Sequence, residues 1–511
     1  MSMKLSVKGT VDQWFNKMGK NSTLGITASI LWLMMIGWIA FGWNLGNIGL
    51  IDETEPLFAE ASRQMFITGD WITPFFNGDT RFDKPALIYW CQAIAYAIIG
   101  VNEWAVRLPS AIAAFGLICL AFYTVQWYLG KQDELEQVSR PTRRYLISFL
   151  TAALMALNGE TIIWARIGVS DMLLTGCIGS ALLCFFLGYA KEGTWGHGDT
   201  EKELTASPRH RVTASSSTRS PFPNNWYLAC YVLIAAGILT KGPVGIVLPG
   251  LIVVAFLLYV GKLLEVFREM RLFVGILIIL GLSVPWYALV IWRNGWNYIN
   301  AFFGYHNLER FTEVVNGHSA PWYFYFIIVL LGFAPYSVYI PVALFRLKFW
   351  QRSHWLSQQR FQQLNLFAGF WFVGIFGFFS IAVTKLPSYV LPLMPAAAIL
   401  VALLWNDLFQ RKTGYAENQV NNFTSSPSSP SSPSSPSSPF PLLPHRGNVA
   451  FFLVLGTVLF NINHNIGVIL NGWEADHEKK PTLTGPEEGG KGEGGDEGEE
   501  GDEGDEVKLL T

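Results

Sequence analysis

Long apolar runs, separated by short polar segments, constrain this chain more strongly than any other feature. Stretches such as Leu24–Phe41 and Leu272–Trp292 approach the ~20 residues that an α-helix needs to cross a bilayer. Charged residues make up only 14% of the 511 residues, whereas a soluble domain has about a quarter. The pattern therefore predicts an all-α polytopic membrane protein. Eleven spans are predicted, near residues 24–43, 108–130, 145–163, 171–190, 226–240, 243–260, 272–292, 322–345, 364–384, 387–405 and 449–471.

The distribution of Lys and Arg orients these spans. Of the 36 basic residues, 23 fall in alternate loops on the same side as the N-terminus. An excess of Lys and Arg marks the cytoplasmic side, so the N-terminus is predicted to lie inside. The acidic end of the chain offsets the basic loops to a net charge of −2, and no nucleic-acid partner is predicted.

This orientation depends on the apolar segment Ala86–Gly100. The segment is short for a full crossing, so we predict that it lies in the membrane interface or forms a re-entrant hairpin. If it spanned the membrane, every later loop would change sides. With this choice, ionisable residues from several distant loops all fall on the exterior face. They are Asp52, Asp83, Lys84, Arg166, Asp171, Lys241, His306, Arg310, His318 and Lys385.

The first outer loop, residues 44–107, is predicted to carry two interfacial helices. Residues 54–68 place apolar side chains on one helical face and polar side chains on the other, as a helix on the bilayer surface would. Residues 86–100 would form the second helix. Asp52 and the pair Asp83–Lys84 would then lie at the ends of these helices.

Composition divides the rest of the chain. Residues 1–23 are predicted as a cytoplasmic N-terminus and 24–405 as the main transmembrane domain. Residues 406–448 contain repeated Ser-Ser-Pro units and are predicted as a cytoplasmic linker to a last span at 449–471. The Gly-, Glu- and Asp-rich residues 472–511 are predicted to be a disordered tail.

Several short motifs occur in a fixed order along the transmembrane domain. They are Asp52-Glu53, Gly69-Asp70-Trp71-Ile72-Thr73-Pro74, Asn77-Gly78, Phe82-Asp83-Lys84-Pro85-Ala86-Leu87-Ile88-Tyr89-Trp90, Asn102-Glu103-Trp104-Ala105-Val106-Arg107-Leu108-Pro109-Ser110, Leu239-Thr240-Lys241-Gly242-Pro243 and Lys385-Leu386-Pro387-Ser388-Tyr389-Val390-Leu391-Pro392. In this order they resemble the bacterial aminoarabinose transferase and protein O-mannosyltransferase superfamily. The resemblance covers roughly residues 25–405, and it implies a GT-C fold and a lipid-linked sugar donor.

The resemblance implies that Asp52 is the catalytic base, because it matches the family's first-loop aspartate. A partly desolvated carboxylate at the exit of a span suits proton abstraction from an acceptor hydroxyl. The alternative is that Asp52 caps the helix beginning at Thr54, although Glu53 and Glu55 could cap it equally well. Glu53 is an additional candidate in the same motif.

Cations are needed to stabilise the charge that develops on a leaving phosphate. Lys84, Arg310 and Lys385 are candidates, with Lys241 as an additional one. The alternative for each is a basic residue that snorkels to the interface or sets topology. Tyr389 could hydrogen-bond the phosphate, or it could belong to an aromatic belt.

Three further residues, His306, Asp171 and Arg166, complete the candidate set, and His306 is considered together with Asp83. Asp83 and His306 could hold a divalent metal (Zn²⁺, Mg²⁺ or Mn²⁺), as the resemblance implies, or form a hydrogen-bonded pair of loop residues. The family usually has Glu where Asp83 stands. Asp171 is the second catalytic candidate, because it matches an acidic family residue near the site and would orient the acceptor or the surroundings of Asp52; Arg166 lies close to it in sequence. The structural alternative is that Arg166 and Asp171 pair with each other.

The sequence thus predicts a multi-pass glycosyltransferase, hexosyl or pentosyl, of a bacterial inner membrane. It would move a sugar from a polyprenyl-phosphate donor to a lipid, an envelope glycan such as lipopolysaccharide, or a protein, with its active site facing the exterior. The alternative from another class is a flippase or transporter of a lipid-linked glycan. Transporters tend to show internal repeats and midplane binding sites, and neither is evident here.

Overall fold

Helices make up nearly all of the structure, a computed structural model that describes residues 13–51, 54–195, 223–302, 304 and 320–424. Among the described residues one two-stranded ribbon occurs, in which Phe75–Phe76 (β1) pairs antiparallel with Asp79–Thr80 (β2). Its turn is Asn77-Gly78, and both residues have positive φ (50° and 90°), as a tight hairpin turn requires. The ribbon lies in the predicted first outer loop.

Sixteen α-helices are described, and most of the described connections between them are short. In chain order they are α1 (Ser22–Gly37, continued by a π-helical turn Trp38–Gly42), α2 (Thr54–Thr68), α3 (Leu87–Ile99), α4 (Glu103–Leu135), α5 (Pro141–Ala156), α6 (Gly159–Ala165), α7 (Ser170–Trp195), α8 (Asn225–Lys241), α9 (Val244–Tyr259), α10 (Leu263–Glu269), α11 (Leu272–Tyr298), α12 (Phe324–Gly332), α13 (Ile340–Arg346), α14 (Arg352–Ser357), α15 (Leu364–Ile381) and α16 (Met394–Thr424). Three 3₁₀ turns join the later helices: Tyr336–Tyr339, Arg360–Gln363 and Pro387–Leu393.

The predicted spans fall on helical segments of the described residues, but two of them are bent, 145–163 by 61° and 322–345 by 113°. Six helices are long and apolar enough to cross a membrane, or up to eight if each of two bent pairs is one span. Helices α3, α8 and α9 are apolar but shorter. The predicted number of eleven is therefore not confirmed. The eleventh span, 449–471, lies outside the described residues, as do the Ser-Ser-Pro repeats and the tail. Helix α16 continues past residue 405, where the linker was predicted to begin, to Thr424.

One predicted span, 145–163, is broken by Asn158. Helices α5 and α6 meet there at an angle of 61°. The buried Asn158 side chain accepts a hydrogen bond from the Thr161 amide at 2.9 Å and donates to the carbonyl of Met155 at 2.8 Å. It therefore satisfies backbone groups at the end of one helix and the start of the next, which makes the bend tolerable inside an apolar bundle.

Helix α7 spans the bundle and defines its two ends. It is a central helix, since 89% of its most apolar segment is buried, whereas for α11 that share is 28%. Asp171 lies in its first turn, and Tyr189, 18 residues later or about 27 Å along the axis, accepts a hydrogen bond from Arg360. We call the part of the bundle around Arg360 the basic end, because it contains the Lys- and Arg-rich loops 261–271 and 346–363.

Helix α3 does not connect the two ends of the bundle. Its 13 residues cover only about 20 Å. Gln92, in its middle, donates to the carbonyls of Val106 at 2.9 Å and Gly168 at 2.8 Å, both close to the start of α7. Tyr96, near its end, donates to the carbonyl of Ala59 in α2 at 3.0 Å. Both α3 and α2 therefore lie at the end of α7 that carries Asp171, as predicted for 54–68 and 86–100.

Candidate active site

A cavity of about 100 Å³ opens at the end of the bundle that carries Asp171. Charged and hydroxyl-bearing side chains from four distant segments line one part of it, and apolar side chains line the rest. The polar lining residues are Asp83, Lys84, Asp171, Lys241, Ser388 and Tyr389. The apolar ones are Leu174, Val244, Phe302, Phe378, Phe379, Ala382 and Pro392. Five of the site residues predicted from the sequence therefore meet at one place.

An ion pair between α7 and α8 forms one side of the cavity. Lys241 Nζ lies 2.7 Å from Asp171 Oδ1, and the two side chains are 17% and 14% exposed. The Ser388 hydroxyl also donates to the Asp171 carboxylate, and Lys241 Nζ lies 5.2 Å from the centre of the Tyr389 ring. Asp171 is in the first turn of α7 and Lys241 in the last turn of α8, so each charge also complements a helix dipole.

The segment before α3 supplies the other charged side. Arg81 Nη2 lies 2.6 Å from Asp83 Oδ2, while Lys84 Nζ is 3.9 Å from that oxygen. Lys84 also donates to the backbone carbonyl of Asp83 at 2.9 Å. The buried Tyr89 hydroxyl lies 3.4 Å from Asp83 Oδ1. Because Arg81 holds the Asp83 carboxylate closely, the Lys84 ammonium is the cation that this segment brings to the cavity wall.

Two other predicted residues lie near the site without lining it. Lys385 Nζ donates to the carbonyl of Ala382 at 2.7 Å, and Ala382 itself lines the cavity. Arg166 donates to the carbonyls of Ala40 at 3.5 Å and Asn44 at 3.2 Å, at the end of the first helix. The alternative in which Arg166 pairs with Asp171 is therefore wrong, because Lys241 occupies that carboxylate. The remaining candidates, Asp52, Glu53, His306, Arg310 and His318, lie outside the described residues.

A buried ion pair that sequence reasoning missed organises the first outer loop. Arg107 Nε and Nη2 lie 2.8 and 2.9 Å from the two Glu55 carboxylate oxygens, and the side chains are 3% and 0% exposed. Glu55 also accepts from the amides of Ile51 and Gly168, both at 2.7 Å. Arg107 in addition donates to three backbone carbonyls, those of Leu45, Ile48 and Gly49. The signal in the sequence was an arginine inside an otherwise apolar start of α4.

A metal centre is not assembled by the described part of the chain. Within it no three His, Cys, Asp or Glu side chains come together as metal ligands. Asp83, one predicted ligand, has one carboxylate oxygen 2.6 Å from Arg81, and an arginine at that distance competes with a cation for the oxygen. His306 lies outside the described residues. We therefore derive no catalytic step that depends on a metal.

Comparison with known proteins finds relatives of this chain. No family model matches the chain. An uncharacterised protein of Aquifex aeolicus is 29% identical over 363 residues, which are 71% of this chain and 69% of that protein. The undecaprenyl phosphate-alpha-4-amino-4-deoxy-L-arabinose arabinosyl transferase of Aeromonas hydrophila is 30% identical over 356 residues, 70% of this chain and 56% of that enzyme.

A solved structure shares the fold. The crystal structure of ArnT from Cupriavidus metallidurans bound to undecaprenyl phosphate matches with a TM-score of 0.57 and 26% identity, over 75% of this chain and 60% of that one. The chain is thus a polytopic membrane protein with the GT-C fold of glycosyltransferases that use lipid-linked sugars. Within that class it resembles the undecaprenyl-phosphate aminoarabinose transferases in both sequence and structure. It spans little more than half the length of the Aeromonas enzyme.

Proposed function

We propose that the protein is a membrane glycosyltransferase that moves a sugar from a polyprenyl-phosphate donor to a hydroxyl-bearing acceptor. The observation that carries the proposal is the convergence of Lys84, Asp171, Lys241 and Tyr389 on one cavity whose remaining wall is apolar. A lipid phosphate needs both of these surfaces, cations for its charged head and an apolar wall for its chain. The relatedness to enzymes named for an undecaprenyl-phosphate donor supports the same conclusion.

The phosphate would lie between Lys84 and Lys241. Charge-assisted hydrogen bonds from ammonium groups hold a phosphate oxygen well, and they strengthen as the leaving group gains negative charge. Asp171 and Ser388 would hold the Lys241 ammonium in position. Tyr389, whose ring lies beside that ammonium, could add its hydroxyl to the phosphate. Lys385 and Arg310 remain further candidates for the same role.

The isoprenoid chain would leave the cavity along its apolar wall. Phe378, Phe379 and Ala382 lie at the end of α15 and just after it. Ile381 and Val383, next to them in the chain, are 78% and 38% exposed on the bundle surface. An apolar path from the cavity to a surface that would face lipid is what lateral entry of a lipid donor needs.

Asp52 is the proposed base. It would take the proton of the acceptor hydroxyl while that oxygen attacks the anomeric carbon and the bond to the polyprenyl phosphate breaks, a single displacement that inverts the anomeric centre. Ile51, directly before it, has its amide held by the buried Glu55 carboxylate at 2.7 Å. We further propose that the site faces the exterior of a bacterial inner membrane, that the sugar is a pentose or hexose, and that the acceptor is a lipid, an envelope glycan or a protein.

The test uses the full chain in lipid nanodiscs with radiolabelled polyprenyl-phosphate sugars, one pentose and one hexose donor, and an envelope lipid extract as acceptor. We expect label to appear in an acceptor product. Asp52→Asn and Lys84→Gln should abolish this transfer. Lys131→Gln should keep it, because Lys131 lies at the end of α4 that is distant from the cavity. In proteoliposomes, label that changes leaflet without entering a product would support the flippase and refute the transferase. Mass spectrometry of envelope lipids and glycans, with and without the protein, would identify the product.

A further inference from the structure

A second groove lies at the basic end, far from the donor cavity. It has a volume of about 340 Å³ and lies where α10 turns into α11. We call it the α10 groove. Its lining residues are Leu264, Phe267, Arg268, Arg271, Leu272, Phe273 and Val274. The groove therefore combines two guanidinium groups with a mainly apolar wall.

The acidic residues of α10 are engaged elsewhere. Glu269 holds Arg360 through both carboxylate oxygens, at 2.7 and 2.8 Å, and Glu265 forms an ion pair with the same guanidinium. Neither acid lines the groove, although the Glu265 side chain is 56% exposed. Burial lowers the pKa of nearby Lys262, and so does the positive charge of Arg360, whereas Glu265 and Glu269 raise it. The charged residues that line the groove itself are Arg268 and Arg271, so its lining carries positive charge.

The apolar wall of the groove continues onto a surface that would face lipid. Leu264 and Phe273 are 70% and 74% exposed. Phe273 opens α11, a candidate membrane span of which only 28% is buried inside the bundle. Arg271 has a left-handed backbone conformation (φ 54°), which ends α10 and turns the chain directly into α11. The two arginines therefore lie at the level where the apolar surface of a span begins.

From this geometry we infer that the α10 groove binds the phosphate of an anionic phospholipid in the leaflet at the basic end, which the Lys and Arg count predicts to be cytoplasmic. Arg268 and Arg271 bind the phosphate, and one acyl chain lies along Phe273 and α11. Arginine suits this role because its planar group donates two parallel hydrogen bonds to a phosphate. Basic pockets beside spans on the cytoplasmic side are a recognised way to hold anionic headgroups. The site is separate from the donor cavity and independent of the proposed transferase activity.

The experiment measures lipid retention by native mass spectrometry of the purified full chain. Phosphatidylglycerol and phosphatidylcholine with identical acyl chains are supplied at equal concentration. We expect selective phosphatidylglycerol adducts on the unaltered protein. In the double variant Arg268→Gln, Arg271→Gln we expect the affinity to fall roughly 30-fold, the equivalent of about 2 kcal/mol for two basic side chains near the membrane surface.

A matched control separates a built site from diffuse charge. Lys131→Gln, Arg140→Gln removes two basic charges from the region between α4 and α5, where each side chain is paired with a neighbouring glutamate. Selectivity should survive in this control. Equal loss in both double variants, or no selectivity in the unaltered protein, would overturn the inference.

If the double groove variant fails to fold, the single variant Arg268→Gln tests the inference. Arg268 is exposed, and its replacement should cause about half of the loss in binding free energy expected for the double variant. Adducts formed equally well by inorganic phosphate alone would show a free-anion site instead and would refute the lipid assignment.

Discussion

Removal of Arg107 should destabilise the protein strongly, because it strands a charge in the interior. Arg107 and Glu55 form two hydrogen-bonded contacts of 2.8 and 2.9 Å, and neither side chain reaches solvent appreciably. In Arg107→Ala the Glu55 carboxylate keeps the amides of Ile51 and Gly168 but loses its only cation among the described residues. Three loop carbonyls lose their donor at the same time.

The magnitude follows from burial. Breaking a buried ion pair by removing one partner costs about 3–5 kcal/mol, because the remaining charge has no compensation. Helix α2 offers a matched control in the pair Arg63–Glu60, with the same charges and a 2.6 Å contact but side chains 38% and 26% exposed. Solvent screens such a pair, which is worth less than about 1 kcal/mol. We therefore expect Arg107→Ala to exceed Arg63→Ala by roughly 3 kcal/mol.

Denaturation in mixed micelles, followed by tryptophan fluorescence, measures both variants under one condition. Arg107→Lys should fall between them, since it keeps the charge but cannot make the paired contacts of a guanidinium. If Arg107→Ala and Arg63→Ala unfold at the same denaturant concentration, the reasoning fails. That result would mean that water reaches the Glu55 carboxylate, which the 0% exposure of its side chain rules out in the folded structure.

Three further outcomes follow from the proposed function. Lys84→Gln should weaken binding of a polyprenyl phosphate about 10- to 100-fold, because one charge-assisted hydrogen bond is lost. Lys131→Gln, at the end of α4 that is distant from the cavity, should leave the binding unchanged. Titration with a fluorescent lipid phosphate measures both variants. Lys241→Met should lower both stability, by about 3 kcal/mol, and sugar transfer, because Asp171 loses its 2.7 Å partner; an active, fully stable variant would contradict this. Asp52→Asn should reduce transfer at least about 100-fold while lipid-phosphate binding stays within twofold, which single-turnover assays at saturating donor distinguish from a binding defect.

Part of the membership of the candidate site could be predicted from the sequence, but its internal pairing could not. The motifs at the predicted exterior ends of the helices selected Asp83, Lys84, Lys241 and Tyr389, whereas Asp171 was selected because it matches an acidic residue of the family. All five line the cavity. The sequence brings these five residues together only through the alternation of the predicted spans, which decides for each loop at which end of the bundle it lies.

Pairing depends on the direction in which each side chain leaves its helix. Arg166 is five residues from Asp171 and Lys241 is 70 residues away, so the sequence offered Arg166 as an alternative partner and gave no sign of Lys241. Arg166 ends α6, on the far side of the turn that starts α7, and its guanidinium satisfies carbonyls that the π-helical end of α1 leaves open. No periodicity in the local sequence reports such a distant acceptor. The break at Asn158 escaped for a related reason, since average hydropathy is insensitive to one polar residue.

The prediction that orients the whole chain concerned α3, and one residue inside this helix supports it. Gln92 is fully buried in an otherwise apolar helix, where it accepts from the Ser62 hydroxyl at 2.6 Å and donates to two backbone carbonyls. A glutamine facing hydrocarbon would leave these groups without partners, at a cost of several kcal/mol. Here its partners come from α2 and from the segments that open α4 and α7, so α3 is held at this end of the bundle. Because α3 stays at that end, Lys84 before it and Arg107 after it both reach the opening of α7, and the cavity lined by Lys84 can form.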